Sequence, residues 1–565
     1  MTIPMAGETR PQGPISEPGP GGPSPVAPDP AVDPYVLLGR VVTVDDAWTV
    51  FDRGAVYVRG GSIAAVTEAG APVPPGFEAA LRIPTGGSIY PGLIELHNHL
   101  SYDALRLWDV PDTYPNRDRW STGPVYRRLV SGPMQVLGRT AGLPEAVVRY
   151  VEMKCLLGGT TTSQGIALYS NAGIQRYYFG VVRNVEETRD PDLPDAATRI
   201  PDVDATDAGR FLARLSKSSR LLLHLSEGTD AAAHAHFESL HLPDGSWAIT
   251  PALVGIHCVA LKRPDYDVMA SRGASMVWSP LSNLLLYGAT ADIAAARAAG
   301  VTIGLGSDWS PSGSKNLLFE LKVARIVAQQ TGVLSDRELV AAATRDAARI
   351  LGWAALGSIE AGRRADLIVT GGRQGDPYAG LLTAGEPDIE LVVVAGVPRA
   401  GRPALMGRFA LAGQTESVRI GGAQRLIHAQ EPGVDPVIEG LSLAEATARL
   451  RTALRDLPRL AAELEKPMPA IAAGAPAQER TSWSLVLDHD EPAGIALRPH
   501  LPDAAGHPTA ALEADFAAAA VPLSQLLQGL VLDPLTVAGD ADFVDRLIAE
   551  RNLPAFVVDG LRQLG

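Results

Sequence analysis

The stretch IYPGLIELHNHL (89–100) decides the fold. An apolar run follows a Pro-Gly turn and stops at two histidines one residue apart. A continuously apolar run of this kind suits a strand of a parallel sheet covered on both faces. In extended chain, residues i and i+2 point the same way, so His97 and His99 aim at one point. Neutral imidazole is a common metal ligand. Taken alone, the pair is equally well read as two unrelated histidines at a strand end.

Downstream, helix and strand patterns alternate. EAVVRYVEMKCLL (145–157) has helical spacing, while GGTTTSQGI (158–166), YYFGVVRNV (177–185), RLLLHLSEG (220–228), ALVGIHCVA (252–260), GASMVWSP (273–280) and GVTIGLGSD (300–308) read as strands. Alternation over about 250 residues predicts an α/β protein built on a (β/α) TIM-type barrel. One convincing strand stands between GGTTT and His224 where two are needed, so an irregular barrel is expected. LSDRELVAAATRDAARILGW (334–353) reads as one helix, opened by a Ser335/Glu338 capping box and ended near Gly352. Short β runs flank the barrel on both sides, YVLLGRVVTV onward before it and SIEAGRRADLIVTGG onward after it. They are expected to pair into a small composite β-sandwich. The domains so predicted are a Pro/Gly-rich disordered arm (1–34), an N-terminal sandwich segment (35–88), the metal-binding barrel (89–354), a second sandwich segment (355–412) and a mixed, helical C-terminal extension (413–565) of unassigned role. The extension contains an amphipathic helix over 442–465.

Three further strands end in chemistry. His224 lies in LLLHLSEGTD with Glu227 three residues on, His257 in LVGIHC, and Asp308 in TIGLGSDWSPSG. Each alone is better explained as a bonded core histidine or a helix N-cap. Together they put metal-capable residues at one face, the face where TIM-barrel active sites sit. Four of the eleven histidines occupy these strand ends; the other seven lie in loops or polar segments and read as surface residues. In the excursion 101–133, Tyr102, Trp108, Trp120 and Arg127 read somewhat better as surface packing than as pocket lining.

With these motifs in hand, the sequence resembles the amidohydrolase superfamily. PGLIELHNH is similar to its first-strand motif, His224, His257 and Asp308 follow in its order, and GSIEAGRRADLIV looks like its return into the sandwich. The His224/Glu227 pair and SPLSNLLLYG resemble the mononuclear branch with cytosine, guanine and adenosine-type deaminases, triazine hydrolases and imidazolonepropionase. The resemblance covers roughly 35–412. It implies that His97, His99, His224 and Asp308 bind one divalent ion, Zn or Fe, leaving a position for water. The ion would lower the pKa of that water toward neutrality. Asp308 would orient the water and take its proton, His257 would hydrogen-bond the hydroxide or oxyanion, and Glu227 would carry a proton to a ring nitrogen. No lysine ends a barrel strand, which disfavours a two-metal site. The implied activity is hydrolysis of a non-peptide carbon–nitrogen bond in a small cyclic, heterocyclic substrate, by a deaminase or a cyclic amidohydrolase. WSPSGSKN after the strand departs from the usual deaminase version and leaves the substrate open. The competing reading is a non-catalytic scaffold that keeps the barrel and uses 413–565 as a partner module.

Composition narrows the partners. A net charge of −14 lacks the basic stripe of a nucleic-acid binder and disfavours an anionic membrane surface. Cys155 and Cys258 sit in apolar runs, which suits a reducing compartment. No signal-peptide pattern and no apolar run of about 18 residues is present, so the cytoplasm is expected, with no membrane partner. A small-molecule substrate is expected, and a homo-oligomer is compatible with this reading.

Overall fold

A computed structural model describes residues 27–171, 173–199, 208–430, 433–438, 440–466, 482–488 and 521–564. Most of the arm expected at 1–34 lies outside them.

Chain segments on either side of the barrel motifs share one nine-stranded sheet. Its first half comes from Tyr35–Val42, Val50–Arg59, Ser62–Glu68 and Leu81–Pro91, and its second from Leu367–Thr370 onward to Ala423–Gln430. The seam is antiparallel, Leu367 opposite Pro91 and Thr370 opposite Ser88. Alternate residues of both halves (Tyr35, Leu37, Val56, Ile89, Leu367, Val369, Leu391) bury into one core, as period-two patterning requires. Gly87 is needed at this seam: a Cβ there would stand 2.0 Å from the Thr370 carbonyl oxygen.

The metal-capable strand ends belong to two parallel sheets. One has five strands, Ala197–Arg199, Leu221–Leu225, Leu253–His257, Ser275–Trp278 and Thr302–Leu305. The other has three, Leu93–Ile94, Thr160–Ser163 and Arg183–Asn184. Leu221–Leu225 and Leu253–His257 are buried at every position, which explains their unbroken apolar runs. Two strands of these parallel sheets do separate GGTTT from His224, Arg183–Asn184 and Ala197–Arg199. They are too short for any periodicity to register.

Several expected elements are broken. The helix expected over 334–353 is two, Asp336–Ala342 and Arg345–Leu351. At the break the Ala343 carbonyl accepts the Ile94 amide at 2.8 Å, so a sheet strand takes the acceptor a continuous helix would use. The Ser335/Glu338 capping box is present. The helix expected over 442–465 is likewise divided, into Leu443–Arg455 and Leu457–Leu464, because Pro458 fits a first turn but not a helix interior. His428, expected at the surface, is buried in Ala423–Gln430, with Nδ1 near Arg399 and Nε2 on the Ala412 carbonyl.

Candidate metal centre

The strand ends place their residues by unusual backbone. Ser226, His257, Cys258 and Asp308 all have positive φ, at 55°, 67°, 55° and 64°. Non-glycine residues hold such angles at a cost of about 1–3 kcal/mol each, and here the clustered outliers turn side chains inward at the strands' C-terminal ends.

His97, His99, His224, His257, Glu227 and Asp308 converge, none more than 7% exposed. His97 Nε2 and His99 Nε2 lie 3.0 and 3.4 Å from the same oxygen of Asp308. The His97 ring centroid is 4.8 Å from that of His224 and 5.1 Å from that of His257. Two triads therefore offer one ligand atom per residue, all within 4.8 Å: His97, His99 and Asp308, and His97, His224 and His257. The triads share His97, and they give His257 a ligand-like position that the sequence resemblance does not.

The donor set fits a cation. Nδ1 of His97, both ring nitrogens of His224 and Nε2 of His257 are buried without a hydrogen-bond partner. Each such orphan costs about 1–3 kcal/mol unless something else satisfies it. Burial pushes the His97 imidazole down to about 4, and burial with the nearby Arg117 charge takes His224 well below its usual range. Both are neutral at pH 7, the form that ligates metals. Burial works against the Asp308 carboxylate, but His97 beside it holds it ionised, far below the ordinary carboxylate range.

Around these groups stand residues the sequence reading did not assign. Ser282 Oγ donates to Asp308 Oδ2 at 2.5 Å, and Asn283 Oδ1 lies 2.9 Å from His257 Nδ1. Tyr287 donates to Glu227 Oε1 at 2.6 Å, and Arg117 to Glu227 Oε2 at 2.9 Å. Ser282, Asn283 and Tyr287 all sit on Pro280–Tyr287, a helix buried at every position. Polar residues in a wholly buried helix were the available signal within SPLSNLLLYG. Arg117 arrives because the excursion 101–133 hydrogen-bonds along the loop after His224, Arg117 N to Glu227 O and Thr229 N to Pro115 O. Of the excursion's aromatics, Tyr102 and Trp120 pack on Trp309 at 5.3 and 5.8 Å, and Trp309 lies 5.2 Å from His99. Trp108 packs one ring further out, on Tyr126. Arg127 turns away to the Val521 carbonyl.

Parallel strands ending in a buried histidine–carboxylate cluster form a site that could hold a metal ion. Residues 222–399 match the amidohydrolase family, and the relatives the chain matches are deaminases, enzymes that act on carbon–nitrogen bonds other than peptide bonds. It is 29% identical over 373 residues to a 5-methylthioadenosine/S-adenosylhomocysteine deaminase of Nitratidesulfovibrio vulgaris strain DP4, covering 60% of this chain and 83% of that one. A deaminase of the same name from Moorella thermoacetica is 24% identical over 403 residues, 64% of this chain and 93% of that one. In fold, the chain resembles the triazine hydrolase of Arthrobacter aurescens, with a TM-score of 0.50 at 21% identity, covering 65% of this chain and 94% of that structure. Among the described residues no helix is long and apolar enough to cross a membrane.

Proposed function

We propose that this chain is a deaminase that holds one divalent ion, Zn²⁺ or Fe²⁺, at His97, His99, His224 and Asp308, and hydrolyses an amino group from a heterocycle. When bound, the ion supplies Lewis-acid activation of water at neutral pH. Asp308 accepts the proton of the attacking water, with Ser282 fixing its second oxygen. Asn283 holds the His257 proton on Nδ1, so Nε2 is left to accept a hydrogen bond from that water or to join the ligand set. Glu227, ionised at rest, takes the second proton of that water once its oxygen is bonded to carbon and passes it to the ring nitrogen. The proton on Asp308 then leaves with ammonia, and water plus amine has become carbonyl plus ammonia.

One observation carries deamination over ring opening: Glu227. Burial opposes its charge, but His257 and Arg117 hold its carboxylate ionised below the usual range. It stands 3.9 Å from His224 Nε2 and 3.8 Å from His257 Nε2, a carboxylate placed to relay protons beside the centre. The names of the relatives support the same reading and point to purine nucleosides bearing an exocyclic amine. The complete cluster speaks against a non-catalytic scaffold. A screen of metal-loaded protein against amino-purines, amino-pyrimidines, amino-triazines and cyclic ureides, read as ammonia release, tests it. Turnover confined to ring opening without ammonia would sink the deaminase reading.

The same proposal takes the two parallel sheets as one closed eight-stranded barrel. Its support is backbone bonding across both gaps, Ala196 N to Val185 O at 2.9 Å and Asp308 N to His97 O at 3.0 Å. Domain limits at 34, 88, 354 and 412 go with it, the last modified by sheet strands that run on to Gln430. The two buried free cysteines are in keeping with a cytoplasmic enzyme.

A further inference from the structure

We propose that Asp488, delivered by the C-terminal extension, is a positioning residue of the metal centre: it accepts the Nδ1 proton of His99 and so turns Nε2 of that ring toward Asp308. The inference rests on the metal reading above. His99 Nδ1 lies 3.3 Å from Asp488 Oδ1 and 3.2 Å from Oδ2, while His99 Nε2 faces Asp308 at 3.4 Å.

A neutral imidazole carries one N–H, and the nitrogen that carries it cannot ligate. A carboxylate at Nδ1 keeps the proton there, orients the ring and strengthens Nε2 as a donor. Nδ1 of His97 and of His224 has no hydrogen-bond partner among the described residues. The barrel's own residues thus leave those rings without such a partner, and a segment far along the chain supplies one for His99.

Asp488 is held in place from several sides. Trp483–Leu485 pairs antiparallel with Ala167–Ser170, and the Val486 amide donates to the Ala167 carbonyl at 2.9 Å. Leu485 and Leu487 are buried, close against Gly138. The Asp488 amide donates to Tyr102 Oη at 3.2 Å, and Arg117 approaches the carboxylate to 4.0 Å. The side chain is only 6% exposed. The extension is thereby built into the site rather than appended to it.

The test is metal affinity of the full chain. Wild type, Asp488→Ala and Asp488→Asn are equilibrated with chelator-buffered Zn²⁺, and the spectrum of each Co²⁺-substituted protein is recorded. Asp488→Ala is expected to bind Zn²⁺ about 10–100-fold more weakly with an altered Co²⁺ spectrum. Asp488→Asn keeps an acceptor without the charge and falls between. Unchanged affinity in both variants overturns the proposal, as does a drop in apo-protein melting temperature with affinity intact. If Asp488→Ala does not fold, Asp488→Asn decides: affinity equal to wild type overturns it. A wild-type protein that takes up no Zn²⁺ instead overturns the metal reading beneath it, and His97→Ala, expected to lose the ion whatever stands at 488, tells the two failures apart.

Discussion

Glu227 is gripped by Arg117 on one oxygen and Tyr287 on the other, so its role separates cleanly from metal binding. Glu227→Gln keeps the size and one acceptor but cannot relay a proton. kcat is expected to fall by at least about 100-fold, with metal content unchanged by elemental analysis. Loss of the ion instead would make Glu227 a ligand. His97→Ala and Asp308→Ala should lose about one equivalent of metal and activity together. A second carboxylate, Glu320, accepts from the Leu281 amide and from Ser314, and burial pushes it up to about 8. It stays protonated in the folded chain while the unfolded chain ionises near 4.5. Its stabilising contribution is therefore complete below about pH 4.5 and is lost as pH rises toward 8. Apo Glu320→Gln should show a shallower fall in stability between pH 5 and 8 by denaturant titration; an unchanged slope contradicts this. The strand-end histidines, Glu227 and Asp308 were legible because residue type and strand position coincide. Ser282, Asn283, Arg117 and Tyr287 were not, because ordinary polar residues acquire a role only when the fold sets them against a partner.

Elements were legible in proportion to their length and burial. Five-residue strands buried throughout, such as Leu221–Leu225, announce themselves, while Arg183–Asn184 is two residues and its burial pattern carries no period. Helix breaks at Thr344 and Pro458 differ in the same way: the proline is visible, but the Ala343 carbonyl's bond to Ile94 is a tertiary fact. The seam between Leu81–Pro91 and Leu367–Thr370 yields two tests. Gly87→Ala must displace backbone, since its Cβ would overlap the Thr370 oxygen. A loss of about 1–3 kcal/mol is expected from reversible denaturation, and wild-type stability would mean that the seam opens freely. Ending the chain after residue 353 removes Leu367–Thr370 and leaves Leu81–Pro91 with an open edge. That fragment should be insoluble, and a soluble, metal-loaded 1–353 would contradict the shared sheet.

At the scale of the whole molecule, the C-terminal stretch reaches the loops that follow the proposed metal ligands through Asp533. This fully buried carboxylate bonds Lys154 at 2.5 Å on one oxygen and Lys315 on the other. Lys154 also donates to the Asp103 carbonyl at 2.9 Å and to Ser310 at 2.6 Å, and Lys315 meets Asp540 at 2.9 Å. Asp103 follows His99 and Ser310 follows Asp308 in sequence, so one anion clamps the loops that leave two of the proposed ligands. None of this was readable from the sequence, because each contribution is a single residue bonding a partner at least 51 positions away. Removing one partner of a buried ionic group costs about 3–5 kcal/mol, and Asp533→Leu should show that loss at pH 7 by denaturant titration. Burial already pulls Lys315 below its ordinary range, opposed chiefly by Asp533, so the variant lowers it further. The unfolded chain then holds more protons than the folded one between that depressed value and 10.5, and stability rises with pH across the window. The Asp533→Leu penalty should accordingly shrink between pH 7 and pH 9.5. An equal penalty at both pH values would trace the loss to packing rather than to stranded lysines, and the clamp would then hold the loops by shape and not by charge.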